Sequence, residues 1–372
     1  MNKTKVALIR GAFLNPNELV NYEKLLPKTQ ITSFSSLKPL GSSKLIENQS
    51  LPCPYDYPIF GLTKFVLNRT LGDPHWLVGL EKYLKQYAIL DTADPYYFYS
   101  YQAAKFKRLF PQTKLVCTYC ETIPHNNEGT FVKKKLKQLV LKTADLIIVH
   151  TNRSKDCLLK EGVSAKKIRL IRLGVDLERF IPSAKTNGRI LSVGRLVQEK
   201  GTWLLYLAFK ELLKKHRRLS LVLVGSGPLE KVIRQDCLKN NLQNKVHIYR
   251  QNYDKIPLEY QKAQIFVLNS QSNKTWEEQY GLALIEAMAS GLPIIASDSG
   301  AIAEVVGRAG IICPQNKPKN LYQALDNLIA RPQKQQALSH LARTRAEKYF
   351  DSLQFAATIR DNYDKLLSGD FG

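Results

Sequence analysis

Residues 276–291 read WEEQYGLALIEAMASG, and the fold of the chain turns on how this stretch is read. Leu282, Ile285, Met288 and Ala289 recur at helical spacing, Ala283, Ala287 and Ala289 are strong helix formers, and Gly291-Leu292-Pro293 stops the run. The stretch is therefore a helix entered from a loop at Gly281. Its first-turn N–H groups lack partners within the helix and carry partial positive charge, and a glycine at the entrance lets an anion approach the backbone, so a phosphate fits there. Glu278 lies in the entry loop and Glu286 inside the helix, so the two can flank whatever occupies the helix start. Carboxylates accept hydrogen bonds from pairs of hydroxyls, as on sugars. Glu286 stands between Ile285 and Ala287, where an unpartnered carboxylate is costly.

Directly downstream, LPIIASDSGAIAEVVG (292–307) gives an apolar strand run, a small-residue loop and a second helix start. That is a βα unit, the place where α/β sheets keep ligands. The same alternation of short β-type runs and helical patterns continues over the whole chain, the pattern of parallel, doubly wound sheets. In the first half it predicts strands at Lys5–Arg10, Ala88–Asp91, Lys114–Tyr119, Leu146–His150 and Ile168–Arg172, helices at Pro74–Tyr87 and Tyr97–Leu109, and a long irregular loop over Ser33–Pro58. Polar turn residues at Pro182–Gly188 separate two periodic blocks, which sets domains at 1–182 and 183–350, with residues 351–372 as a last helix. The second block runs through a strand at Arg189–Val193, a helix at Thr202–Lys215, strands at Leu219–Gly225, Val246–Tyr249 and Ile265–Leu268, and a helical Asn320–Ala346.

Gly194-Arg195 follows a strand and Lys200-Gly201 closes the same loop, which puts two cations at the carboxyl edge of the sheet. An arginine fork with a lysine point charge suits a diphosphate. Gly225-Ser226-Gly227-Pro228 is a glycine-rich strand-to-helix turn common to α/β folds. The chain contains no GxGxxG and no GxxxxGK[ST], which disfavours dinucleotide and P-loop chemistry.

At 372 residues, 44% hydrophobic and 23% charged, the composition is that of an ordinary globular protein of two domains. No apolar run approaches the roughly eighteen residues that span a bilayer, and MNKTKVALIRGAF reads as a first strand, not as a signal peptide; the expectation is a cytoplasmic protein. Six cysteines are scattered, with Cys117 and Cys120 the sole CxxC, so buried reduced thiols are expected in place of a zinc site. The net charge of +23 is shared: 28 Lys+Arg against 15 Asp+Glu over residues 1–180 leave +13, and the remainder carries +10. Such a surface attracts anions: an acidic membrane leaflet, a phosphorylated ligand or nucleic acid. Its densest patch, FVKKKLKQLVLK (131–142), is a basic amphipathic helix, either packed on its own sheet with a solvated lysine face or lying on a membrane. A nucleic-acid-binding module would interleave aromatic and basic residues on one face, and that pattern is missing.

Taken together, SVGRLVQEKG, LVGSGP and EEQYGLALIEAMASGLPIIASDSGAIAEVV resemble the donor-binding half of a retaining GT4-family glycosyltransferase of GT-B fold; the E-x7-E pair Glu278 and Glu286 is the most specific part. TADLIIVHTNRSKDCLLKEGV and IRLIRLGVDLERF, within 143–180, resemble the end of that family's first domain. The resemblance implies two Rossmann-like domains facing each other across a cleft, the first holding an acceptor and the second a nucleotide-diphosphate sugar, UDP- or GDP-linked, with the last helix crossing back to the first domain. It implies that Arg195 and Lys200, next to Gly194, bind the diphosphate, that Glu286 binds the ribose and Glu278 the transferred sugar, and that backbone N–H groups of Tyr280, Gly281 and Leu282 complete the phosphate site. Configuration would be retained and no metal required, since fixed cations and a helix N-terminus stabilise the departing diphosphate. The first domain departs from the family pattern. Gly11 stands alone where relatives pair glycines, and CETIPHN replaces a histidine site, so that Glu121, with His125 close behind, takes the acceptor-side place. The expected activity is hexosyl transfer to a glycolipid, polysaccharide or similar glycan at the inner face of the cell membrane. A sugar phosphorylase or a nucleotide-sugar epimerase on the same fold remains open.

Overall fold

The structure, a computed structural model, describes residues 3–57, 75–183 and 187–370. The chain forms two units, Met1–Leu173 with Ser352–Gly372, and Gly174–Asp351. Each is built on its own all-parallel sheet.

The first sheet has seven strands: β1 (Thr4–Gly11), β2 (Thr29–Ser35), β3 (Glu47–Ser50), β4 (Ile89–Ala93), β5 (Lys114–Tyr119), β6 (Leu146–Val149) and β7 (Ile168–Leu170), in the order β3-β2-β1-β4-β5-β6-β7. Its central strands are apolar on both faces because helices cover both, as parallel sheets require. The principal helices are α1 (Pro16–Glu23), α2 (Phe98–Leu109), α3 (Phe131–Thr143) and α4 (Asn152–Lys160). Asn15, Thr130 and Thr151 cap α1, α3 and α4, each accepting from a first-turn N–H. Residues 352–368 form a helix that packs Phe355, Ala356, Ile359, Tyr363 and Leu366 into the same core as Val6, Leu8 and Tyr22. Beneath it lies a buried polar knot: Arg10 donates to Glu18 (2.8 Å), to Tyr22 (3.0 Å) and to Asp91 (2.9 Å), and Tyr363 donates to Asp91 at 2.5 Å.

The second sheet has six strands: β8 (Arg189–Val193), β9 (Ser220–Val224), β10 (Val246–Tyr249), β11 (Ile265–Leu268), β12 (Ile294–Ser297) and β13 (Gly310–Cys313), in the order β10-β9-β8-β11-β12-β13. Its helices include α5 (Thr202–Lys215), α6 (Leu229–Lys239), α7 (Ile256–Lys262), α8 (Leu282–Ala289), α9 (Pro318–Ile329) and α10 (Pro332–Tyr349). The apolar side chains of α8 pack on β11 and β12.

Several sequence expectations need correction. The first unit ends at Leu173, ahead of the expected break at 182/183, because Val175 and Phe180 are fully buried in the second unit's core. Ser33–Pro58 is not one irregular loop. β2 and β3 add two strands at the sheet edge, and β3 escapes pattern reading because ENQS is polar; backbone pairing holds it, with Asn48 Nδ2 bonded to Ser35 and Ser50 Oγ at 3.0 Å. Of the helix expected over Pro74–Tyr87, Pro74 lies outside the described residues and one short turn, Glu81–Leu84, is helical. Asn320–Ala346 is two helices, parted where Pro332 starts the second, since proline suits a helix's first turn and not its interior. Five of the six cysteines are buried, and all are free thiols. α3 packs on its sheet through Leu136, Val140 and Leu141, and its lysine face is interrupted: Lys137 is 1% exposed and points inward.

Candidate functional site

At the carboxyl edge of the second sheet, β8, β11 and β12 release their chains into three loops that lock together. Glu278 is 6% exposed and its Oε2 is the meeting point, accepting from Lys200 Nζ and from Ser270 Oγ, each at 2.6 Å. Its backbone N–H donates to Ser299 Oγ at 3.2 Å, and its carbonyl accepts from Ala301 N at 2.9 Å. Lys200 also lies over the Trp276 ring, 5.2 Å from the centroid. Two glycines make this approach sterically feasible. A Cβ on Gly201 (φ +63) would lie 1.7 Å from the Asn269 carbonyl oxygen, and one on Gly300 (φ +54) 2.1 Å from the Glu278 carbonyl oxygen.

Gly194 and Arg195 leave β8, where Gly194 N donates to Val224 O and Leu196 N to Ser226 O, both at 2.9 Å. The glycine-rich 225–228 turn is thus the shelf on which the 194–196 loop rests. Arg195 is exposed, whereas Lys200 is engaged with Glu278. Both cations sit on the expected loop; only Lys200 is held against the glutamate.

Gly281 caps α8 in the left-handed conformation (φ 76), with Tyr280 before it and Leu282 opening the helix. At the other end, Arg343 Nη1 donates to Ala289 O (2.6 Å) and Phe180 O (2.8 Å), a cation placed where the helix dipole is negative. Inside α8, Glu286 is 3% exposed. Tyr260 from α7 donates to its Oε2 at 2.6 Å, and Oε1 is buried with no hydrogen-bond partner among the described residues. Burial pushes this carboxyl up to about 7, against the downward pull of the Tyr260 hydrogen bond. A buried acceptor oxygen left open is a standing demand for a donor. The structure brings Glu278, Glu286, Lys200 and Gly281, all singled out from the sequence, to this sheet edge, together with Ser270, Ser299 and Tyr260, which were not; a serine after a strand or a tyrosine in a short helix carries no distinguishing pattern.

In the first unit, Gly11 ends β1 against the Tyr99 ring, and Glu121 follows β5. Glu121 is 4% exposed, with Asn127 Nδ2 on Oε1 (2.7 Å), Asn126 Nδ2 on Oε2 (2.9 Å) and Tyr96 OH at 3.5 Å. His125 is exposed and its ring faces Glu128 at 3.4 Å, so the structure does not bring it to Glu121. His125, Glu128 and Glu161 gather potential ligand atoms within 4.8 Å of one another, and Lys137 Nζ lies among them, 3.1 Å from Glu128 and 2.6 Å from Glu161.

The two units, each on a parallel sheet of seven or six strands with helices, match the GT-B fold of glycosyltransferases. The chain belongs to the GT4-type glycosyltransferases: the family model "Glycosyl transferases group 1" matches residues 176–345 and "Glycosyltransferase Family 4" matches 46–179. It is 28% identical over 227 residues to "Spore coat protein SA" of Bacillus subtilis, covering 54% of this chain and 59% of that one. It is 27% identical over 241 residues to "MMP alpha-(1->4)-mannosyltransferase" of Mycolicibacterium hassiacum, covering 62% and 56%. The matches thus span little more than half the length of such curated relatives. Among solved structures, Anabaena Alr3699/HepE in complex with UDP and glucose superposes with a TM-score of 0.76 at 18% identity, covering 98% of this chain and 100% of that one. A sucrose-phosphate synthase from Thermosynechococcus elongatus gives 0.75 at 20%, covering 99% and 100%. Among the described residues no helix is long and apolar enough to cross a membrane.

Proposed function

We propose that the chain transfers a hexose from a nucleotide-diphosphate sugar to a glycan or lipid-linked acceptor, with retention at the anomeric carbon and without a metal. The observation that carries this reading is Glu286, a buried carboxylate with one oxygen held by Tyr260 and the other unfilled, seated one helical turn inside α8. A ribose offers the adjacent hydroxyl donors that such an oxygen needs. The diphosphate then meets Lys200, Arg195 and the N–H groups of Tyr280, Gly281 and Leu282, and Lys200 exchanges its bond to Glu278 for one to phosphate. Glu278 thereby turns to the hydroxyls of the sugar.

In the reaction, the bond from the anomeric carbon to the diphosphate oxygen breaks, the acceptor oxygen bonds to that carbon from the same face, and the acceptor proton passes to the leaving diphosphate. Negative charge grows on the diphosphate, where fixed cations and a helix start cost no reorganisation. Anabaena Alr3699/HepE, which shares this fold, is in complex with UDP in one structure and with UDP-glucose in another, which favours uridine over guanosine for the base. The +23 charge supports attraction to an anionic leaflet, the setting in which a lipid-linked acceptor is met.

The test is a thermal-shift screen of the full chain against UDP, GDP, ADP, dTDP and CMP and their sugar conjugates, with and without EDTA. A selective rise with one nucleoside diphosphate, unchanged by EDTA, is expected. Stabilisation by polyanions alone would overturn the reading.

A further inference from the structure

We propose that Lys137 and Glu161 are positioning residues for the acceptor-side Glu121. The inference rests on the reading above that Glu121 meets the acceptor hydroxyl. The two residues form a nearly solvent-free ion pair, Nζ to Oε1 at 2.6 Å, with side chains 1% and 3% exposed. Lys137 comes from the middle of α3 and Glu161 from just beyond α4. Neither is on the loop that carries Glu121.

The pair is built to grip that loop. Glu161 Oε1 also accepts from His125 N (2.8 Å) and from Tyr119 OH (2.9 Å), while its Oε2 is buried without a hydrogen-bond partner among the described residues. Lys137 Nζ reaches Glu128 Oε1 at 3.1 Å and the Asn126 carbonyl at 3.5 Å. The loop is thus held at residues 125, 126 and 128. Between these pins, His125 (φ 61) and Asn127 (φ 59) take left-handed backbone, which persists only where the surroundings enforce it. What the enforced conformation achieves is the aim of two side-chain amides, Asn126 on one oxygen of Glu121 and Asn127 on the other.

This arrangement does two things for a group that must hold and orient an acceptor hydroxyl while its proton passes to the diphosphate. It fixes the carboxylate plane, and it favours the ionised form. Burial raises the Glu121 carboxyl, and Asn126, Lys137, Tyr96 and Asn127 all act to bring it down. The ionisable groups that face it are Asp94 beyond β4, Tyr96 of the following loop, its neighbour Cys120, Lys137 of α3 and Cys157 of α4, with Glu161 and Glu128 behind Lys137 as its counter-charges. Of these, Lys137 is the buried cation.

The test is a titration of Glu121 in the full chain, read by 13C NMR of side-chain-labelled glutamate and assigned with Glu121→Gln. With Lys137→Met the midpoint moves to higher pH. With Glu161→Gln, which keeps an oxygen for His125 N–H and Tyr119 but removes the nearer of Lys137's two counter-charges, it moves to lower pH. Opposite displacements are what loosened packing alone does not produce. Release of UDP from UDP-glucose, with water and with octyl β-glucoside as acceptors, should fall by about 100-fold in Lys137→Met, the loss expected of a catalytic group misplaced by about 1 Å, while the thermal shift by UDP stays unchanged. Lys137→Arg should restore most of the rate.

If both variants leave the midpoint where it is in the parent and only the melting temperature falls, the proposal is overturned. Should Lys137→Met not fold, Glu161→Gln and Lys137→Arg carry the same test. Full turnover in Glu121→Gln would sink the acceptor role itself and leave the titration result standing, so the two failures are distinguishable.

Discussion

Glu286→Gln is the substitution in which stability and function should part company. The Glu286 carboxyl is held at about 7, against an ordinary value of 4.5, by burial. At about 1.36 kcal/mol per tenfold, ionising Glu286 in the folded chain destabilises it by about 3 kcal/mol relative to the unfolded chain. The sign follows from which state holds the proton more tightly. The folded chain does, so the penalty is absent below about pH 4.5, grows through pH 5 and 6, and is complete above pH 7. A glutamine of the same shape accepts from Tyr260 and never ionises. The variant should therefore melt higher than the parent at pH 8, by about 6–12 °C for a unit of this size, and at nearly the same temperature at pH 4.5. Nucleotide binding should move the other way: with its oxygen on Tyr260, the glutamine turns an NH2 group to the ribose, a donor where the carboxylate oxygen accepts, weakening UDP by about 10-fold to 100-fold. Melting curves at four pH values, with and without UDP, measure both effects. A variant that is less stable than the parent at pH 8, or that binds UDP equally well, would refute the reasoning.

Lys200→Ala and Glu278→Ala should each lower transfer by about 100-fold or more, measured as nucleotide release from the donor. The double variant should lose more than either, because with the donor bound the two residues act on different groups, Lys200 on the diphosphate and Glu278 on the sugar. Gly300→Ala forces a Cβ against the Glu278 carbonyl oxygen and should destabilise the second unit by about 2–4 kcal/mol in urea melts; a neutral result would mean the loop has room to shift. Tyr363→Phe leaves Asp91 with Arg10 and Tyr22 but without its shortest donor, and should lower stability by about 1–2 kcal/mol while leaving UDP affinity unaltered.

Much of this was legible in the sequence because the elements concerned are long, apolar and periodic. LVCTY, LIIV, IFVL and IIAS announce buried parallel strands, and ALIEAMASG announces both α8 and its end. Glu286 stood out because a carboxylate among alanine and isoleucine contradicts its surroundings, and Glu278 by its place in the loop that enters the same helix. What was hidden is what backbone geometry decides. The polar strand β3 and the short β13 pair through main-chain groups that carry no side-chain signature. The inward turn of Lys137 was hidden for a related reason. In KKKLK, all four lysines look alike, and the one facing the core is distinguished only by Glu128 and Glu161, the latter 24 residues away along the chain. The boundary at Leu173 was missed because the proline and polar residues near 182 mark a loop, while Val175 and Phe180 mark the core.

The contact between Tyr363 and Asp91 spans 272 residues. On the ribosome, at about 5–20 residues per second, the strand bearing Asp91 emerges some 14–54 s before the helix that covers it. Throughout that interval the whole of the second unit is translated and can fold as an insertion, while the first unit waits with the seat of its last helix, around Val6, Leu8 and Tyr22, open to other chains. The first unit is thus closed by a helix made after the whole of the second, and a nascent chain arrested after residue 351 would present a complete second unit tethered to an unfinished first one, the species a holding chaperone would be expected to recognise.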